Sequence, residues 1–211
     1  MHTSYLSNAA FWDTSWNKQN TQQIRAGLTY VPTGTQLQVS TTLYDNFFYF
    51  NANSRPAQWD PAQGVLRVTL TQPVDVGHFH LRNQVTWQQT PADGVIRLPD
   101  WVLRHSLYYE GRWFDRAVLV QLGLDLRYHS AFRPYGFDPA LGQFILSEQA
   151  PLSTYPVFDV FFNMNVQGAR IFAKMEHWNH GLGFPEGYYT TYGYPAADRS
   201  FKFGISWRFY D

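Results

Sequence analysis

His78 and His80 stand two residues apart, a spacing that on an extended chain puts both imidazoles on one face. Such a pair can begin a metal site, but a metal ion needs further ligands, so the pair reads as polar strand surface. His177 and His180, either side of Trp178, carry no more information. Nucleophilic or acid–base chemistry would have to come from His129, Ser130, Asp138, Glu148, His180 and Glu186. Their spacing matches no Ser/His or Asp/His set, and loops contain such residues by composition. The expectation is therefore no enzyme, no metal and no cofactor. The recurring chemistry is cationic: Arg25, Arg67, Arg82, Arg104, Arg127, Arg170, Lys174, Lys202 and Arg208 fall at the polar positions of alternating segments. Only Glu110, Asp125, Asp159 and Glu176 answer them there. Lining a pore, such a set would favour anions.

Those side chains must be held by strands. Period-two alternation marks nine of them, at 23–31, 36–44, 65–72, 78–88, 101–109, 117–128, 157–166, 169–178 and 201–210. The last is the plainest: Phe201, Phe203, Ile205, Trp207 and Phe209 share one face, while Lys202, Gly204, Ser206 and Arg208 share the other. Phe158 and Phe162 repeat the pattern on the seventh strand. A wholly apolar, largely aromatic face has to be buried in a core or in lipid, and a face with Lys and Arg is built for water. These apolar residues are expected to face lipid, and the cations, with Asp125, Asp159 and Glu176, to line a lumen.

The links between strands support that assignment. Short turns at 31–35, 72–77, 110–116 and 167–168 alternate with long loops at 45–64, 89–100, 129–156 and 179–200. A membrane barrel does this because one rim carries tight turns and the other carries external loops. The expected fold is all-β: an antiparallel transmembrane β-barrel, seen as a meander of about nine strands in one segment spanning 1–211. Even strand numbers are the rule for bacterial barrels. Nine strands, and the lack of a basic then apolar leader at Met1–Leu6, suggest the C-terminal part of a larger barrel. The alternative is a tenth strand within Tyr5–Trp16.

Composition narrows the classes further. The 211 residues are 18% aromatic and 15% charged, a ratio suited to interfacial girdles or to a carbohydrate-binding surface. Sixteen basic and sixteen acidic residues cancel, which argues against nucleic acid as a partner. No apolar run is long enough for a helical membrane span.

The ending Gly204-Ile205-Ser206-Trp207-Arg208-Phe209-Tyr210-Asp211 resembles the C-terminus of the "putative porin" family of Bacteroidota outer membranes. The stretch Phe172–Gly181, followed by the Gly- and Tyr-rich 183–195, is similar to that family's last hairpin and loop. The resemblance covers most of the chain. It implies a bacterial outer-membrane protein for passive transport, without naming a solute. It also implies that the final strand is read by the outer-membrane assembly machinery.

The expected function is a porin-like channel for small hydrophilic solutes, embedded in outer-membrane lipid and with an anion preference. The alternative is a soluble extracellular β-barrel or sandwich that binds a ligand or glycan through its aromatic residues. In that case Phe201, Phe203, Ile205 and Trp207 would point into a core. For the loop tyrosines, Tyr188, Tyr189, Tyr192 and Tyr194, sugar stacking competes with loop–loop packing.

Overall fold

The computed structural model describes residues 2–6, 11–91, 94–152, 154–183 and 189–207. Among these there is no helix. Nine strands form one antiparallel sheet: β1 Asn20–Tyr30, β2 Thr35–Asp45, β3 Gln63–Val76, β4 Phe79–Gln89, β5 Trp101–Trp113, β6 Val118–His129, β7 Val157–Val166, β8 Ala169–Glu176 and β9 Ser200–Trp207. Each pairs only with its neighbours in sequence, so the sheet is a meander with β1 and β9 at its edges. The sheet is not closed into a barrel among the described residues. The first two strands of the chain lie outside this sheet. His2–Leu6 pairs with Phe11–Ser15 as a separate two-stranded ribbon, so this segment supplies no tenth strand to the sheet.

Two strands run past their expected ends. Pro73 and Gly77 mark a turn in the sequence, yet β3 continues to Val76 and the link to β4 shrinks to Gly77-His78. Proline's missing N–H is tolerated because pairing with β2 stops at Gln36↔Thr71, leaving Pro73 bonded on one side only. Likewise β5 runs through Gly111 to Trp113. The link between β7 and β8 is Gln167-Gly168, with φ of 45° and 87°. Both residues being left-handed suits a two-residue hairpin whose twist matches its strands, and Gly168 takes the wider angle at no steric cost.

Directly paired residues share a face. Followed through the eight pairings, one face carries Arg25, Ser40, Arg67 and Gln88 in one row, and Arg82, Ser106, Asp125 and Asp159 in another. The opposite face carries Leu28, Leu37 and Leu70, and likewise Leu107, Leu124 and Val160. On that apolar face Phe201, Phe203, Ile205 and Trp207 are each at least 60% exposed. Trp87 opposes Trp101 and Phe79 opposes Tyr109, eight residues apart on each strand. At the usual strand rise that separation is about 27 Å. Aromatic pairs thus bracket an aliphatic band of Leu81, Val85, Leu103 and Leu107.

Close packing on the polar face requires one glycine. A Cβ on Gly123 would lie 2.5 Å from the Phe161 ring, 2.6 Å from Tyr108 Cβ and 2.8 Å from the Leu107 carbonyl. The backbone oxygen cannot move aside as a ring can. Gly123→Ala should therefore cost about 1–3 kcal/mol through overpacking. Urea unfolding of the refolded protein, followed by tryptophan fluorescence, measures it; an unchanged midpoint would contradict this close approach.

Candidate functional site

The polar face holds the ionisable residues singled out in the sequence, and it sorts them into paired and unpaired. Asp159 is the centre of the paired group and is almost fully buried, at 2% exposure. Its carboxylate accepts from Arg127 Nη2 at 3.0 Å, from Lys174 Nζ at 3.1 Å and from the His177 backbone N–H at 2.9 Å. Lys174 also reaches Asp125 at 3.2 Å, and Asp125 accepts from the Ser106 hydroxyl at 2.7 Å. Lys202 pairs with Glu176 at 2.7 Å. Two like-charged pairs stand directly opposite one another, Arg104 with Arg127 and Lys174 with Lys202. Such pairs repel across a ladder. Asp125, Asp159 and Glu176, on three successive strands, neutralise Arg127, Lys174 and Lys202. Arg104 is left without an acid.

Two charged residues of this face escape the sequence reading. Asp75 and Arg112 lie in stretches that look like turns, and they join the face because β3 and β5 run on. Asp75 binds Arg82 at 2.6 Å and His80 at 2.5 Å. His80 stacks on Tyr108 with ring centroids 4.9 Å apart. His78 takes a different partner, the Glu110 carbonyl at 2.9 Å. The two histidines are therefore engaged separately, and among the described residues no three His, Cys, Asp or Glu side chains cluster as a metal site would need. The described strands place nine cations on this face (Arg25, Arg67, Arg82, Arg104, Arg112, Arg127, Arg170, Lys174, Lys202) against five acids (Asp75, Glu110, Asp125, Asp159, Glu176), an excess of four. Arg25, Arg104, Arg112 and Arg170 have no hydrogen-bond or ion-pair partner for their side chains among the described residues. Arg208 and Phe209 lie outside the described residues, while Phe158 and Phe162 lie on the apolar face.

The apolar face has a polar interruption, in which Gln72 stands opposite Asn83 and accepts from the Thr35 hydroxyl at 2.6 Å. His105 Nδ1 meets Asn83 Oδ1 at 2.7 Å, directly across the β4–β5 ladder and midway between the aromatic pairs. Each satisfies the other, which offsets the cost of placing them there.

Loops at the long-loop rim fold over the polar side. The segment 94–98 lies against the upper ends of β2–β4: Ile96 and Leu98 face Ser40, Thr42 and Arg67 across a cavity of about 240 Å³. Val95 is 2% exposed, and Ser40, Thr42, Gln63 and Gln88 beneath are buried. Arg67 Nε donates to Gln88 Oε1 at 3.2 Å, and Gln88 Nε2 donates to the Pro99 carbonyl at 2.7 Å. One strand cation is thus tied to the loop that covers it.

The loops also bind one another. Tyr135 donates to the Val95 carbonyl at 2.7 Å, and burial raises its phenol above the ordinary tyrosine range. Thr191 donates to the Tyr135 carbonyl, and Leu146 N–H to the Phe50 carbonyl at 2.7 Å. Asp138 accepts from the Ser54 hydroxyl, which holds its carboxyl below the usual range. Tyr192 donates to the Gln149 and Ala150 carbonyls, and Tyr194 packs edge-on against Phe137 with centroids 5.4 Å apart. Tyr192 and Tyr194 are therefore engaged in loop–loop packing; Tyr188 and Glu186 lie outside the described residues. The rim residues weighed for catalysis are dispersed: Ser130 Oγ accepts from Trp101 N–H at 3.1 Å, and His180 meets Asp198 at 3.3 Å.

A nine-stranded antiparallel meander, apolar on one face and polar with excess cations on the other, belongs to the class of all-β sheet from which barrel walls are made. The family model described as "putative porin" matches residues 1–211, and the chain belongs to that family. No curated protein matches the sequence. Membership accords with a channel role in general.

Asp159 gives the site its sharpest test. Asp159→Asn keeps an acceptor for His177 N–H but removes the charge that Arg127 and Lys174 share. It should cost about 1–3 kcal/mol, because both cations keep access to water. Asp159→Ala should cost more, since the N–H then also loses its acceptor. Equal midpoints for the two variants in thermal unfolding would show that the backbone contact contributes nothing.

Proposed function

We propose that this chain forms the wall of an outer-membrane channel through which small hydrophilic solutes diffuse passively, with a preference for anions. The observation that carries the reading is the division of the sheet into two unlike faces across all nine strands. The uncovered face is aliphatic between two aromatic levels, as an outer-membrane lipid environment requires. A separation of about 27 Å along strands tilted by about 40° corresponds to about 20 Å of membrane thickness, close to the band height of such barrels. The covered face is polar and holds the cation excess, which favours anions in a pore. Exposure of Phe201, Phe203, Ile205 and Trp207 runs against the soluble alternative, in which those side chains fill a core. The remaining parts of the reading are that the protein is not an enzyme, that it resides in the bacterial outer membrane, and that the assembly machinery engages its final strand.

Reversal potentials of the full-length protein in planar bilayers under a potassium chloride gradient test the preference. Chloride selectivity is expected. Arg25, Arg104 and Arg170 keep their charge unneutralised, so their joint replacement by Gln should move the potential toward cation selectivity. Cation selectivity in the unmodified protein would overturn the preference.

A further inference from the structure

Two arginines outside the sheet are unlike the rest. Arg97 lies in the loop between β4 and β5, and Arg133 in the loop between β6 and β7. The Nε of each is shielded from solvent and makes no hydrogen bond. Neither guanidinium has a carboxylate or any other acceptor among the described residues. Both residues are half-buried, and a desolvated donor nitrogen without a partner is uncommon in folded proteins.

The two loops are held together at this point. Gln88 N–H donates to the Asp100 carbonyl at 2.8 Å at the base of the first loop, and Ser130 N–H donates to the Trp101 carbonyl at 2.9 Å at the base of the second. The Tyr135 hydroxyl, from the second loop, meets both the Val95 carbonyl and the Arg97 backbone N–H. Between them lies a recess of about 450 Å³, lined by both arginines. Its walls include Trp87, Ile96, Leu98 and Phe132, which are apolar, and Thr90, which is polar. Asp100 also lines it but pairs with neither arginine.

We propose that Arg97 and Arg133 form a binding site for the phosphate group of an organic phosphate. Two forked cations match the charge and the several oxygens of a phosphate dianion better than a single carboxylate. The apolar wall accommodates the organic remainder, and the recess lies within the size range of small-molecule sites. The phosphate can arrive on a free solute or on a lipid headgroup, since the recess sits at the rim beside Trp87, one of the aromatic pair that ends the apolar band. The site is independent of the pore's selectivity.

Binding is measured on the full-length protein in detergent micelles by calorimetry with methyl phosphate, and by co-flotation with vesicles containing phosphatidic acid. Wild-type binding in either assay, weakened about ten-fold or more by the Arg97→Gln/Arg133→Gln double variant, is the expected result. Saturation by methyl phosphate identifies a free solute; binding confined to the vesicles identifies a lipid. Arg55→Gln removes an exposed loop cation outside the recess and should leave both readings unchanged. The Arg97→Lys/Arg133→Lys variant preserves charge and guards against misfolding; it should bind more weakly than wild type but more tightly than the glutamine variant. No binding in either assay would overturn the proposal, as would equal weakening by Arg55→Gln or wild-type affinity in the glutamine variant. Because neither assay passes current, cation selectivity in bilayers would refute the preference proposed above and leave this site standing.

Discussion

Parity is the constraint on which this sheet depends. Strand side chains alternate with period two, so a slip of one residue in any pairing would send every cation of one strand to the apolar face. Eight successive pairings run without a register shift, and every charged strand residue but Asp45, at the end of β2, lies on one side. The apolar pattern alone specifies this. Gln121–Glu110, Lys174–Asp125 and Arg127–Asp159 add contacts that exist in one register only. One polar pair on the apolar side, Asn83 with His105, depends on the same register, since only direct opposition lets the two satisfy each other.

Electrostatics on the polar face follows from that register rather than from composition. The chain is neutral, yet parity gathers nine cations and five acids on one surface. It also forces Arg104 against Arg127 and Lys174 against Lys202. These oppositions are tolerable because Asp159 and Glu176 lie one strand away. Asp159 does more than neutralise: through the His177 N–H it joins the charged network to the start of the last long loop. His177 in turn meets the Tyr155 hydroxyl at 2.6 Å and the Ala197 carbonyl at 2.9 Å, tying both ends of that loop to the sheet. The charge cluster and the rim are one mechanical unit.

The strands were legible because alternation is local. Leu66, Val68 and Leu70 announce β3, and Phe201 to Trp207 announce β9, without reference to any distant residue. What the sequence concealed is non-local. Pro73 and Gly111 look like strand ends, and only the neighbouring strands' extents show that they are not; Asp75 and Arg112 were missed for that reason. Phe11–Ser15 carries a strand pattern, but nothing in it reveals that its partner is His2–Leu6 rather than the main sheet. Arg97 and Arg133 sit in segments with no periodicity, 36 residues apart, and are brought together by Tyr135 reaching Val95. Pairwise contacts of that kind leave no trace in spacing.

The loop that covers the polar face holds one of its charges in place. Segment 94–98 buries Thr42 and Gln63 and brings the apolar side chains of Ile96 and Leu98 to a cavity that Arg67 also lines. Arg67 itself stays exposed, so its charge is screened as a solvated charge is. The tether from Arg67 through Gln88 to Pro99 keeps that cover in place. In the channel reading, the loop therefore fixes where the Arg67 charge sits, through Gln88, without strengthening its field.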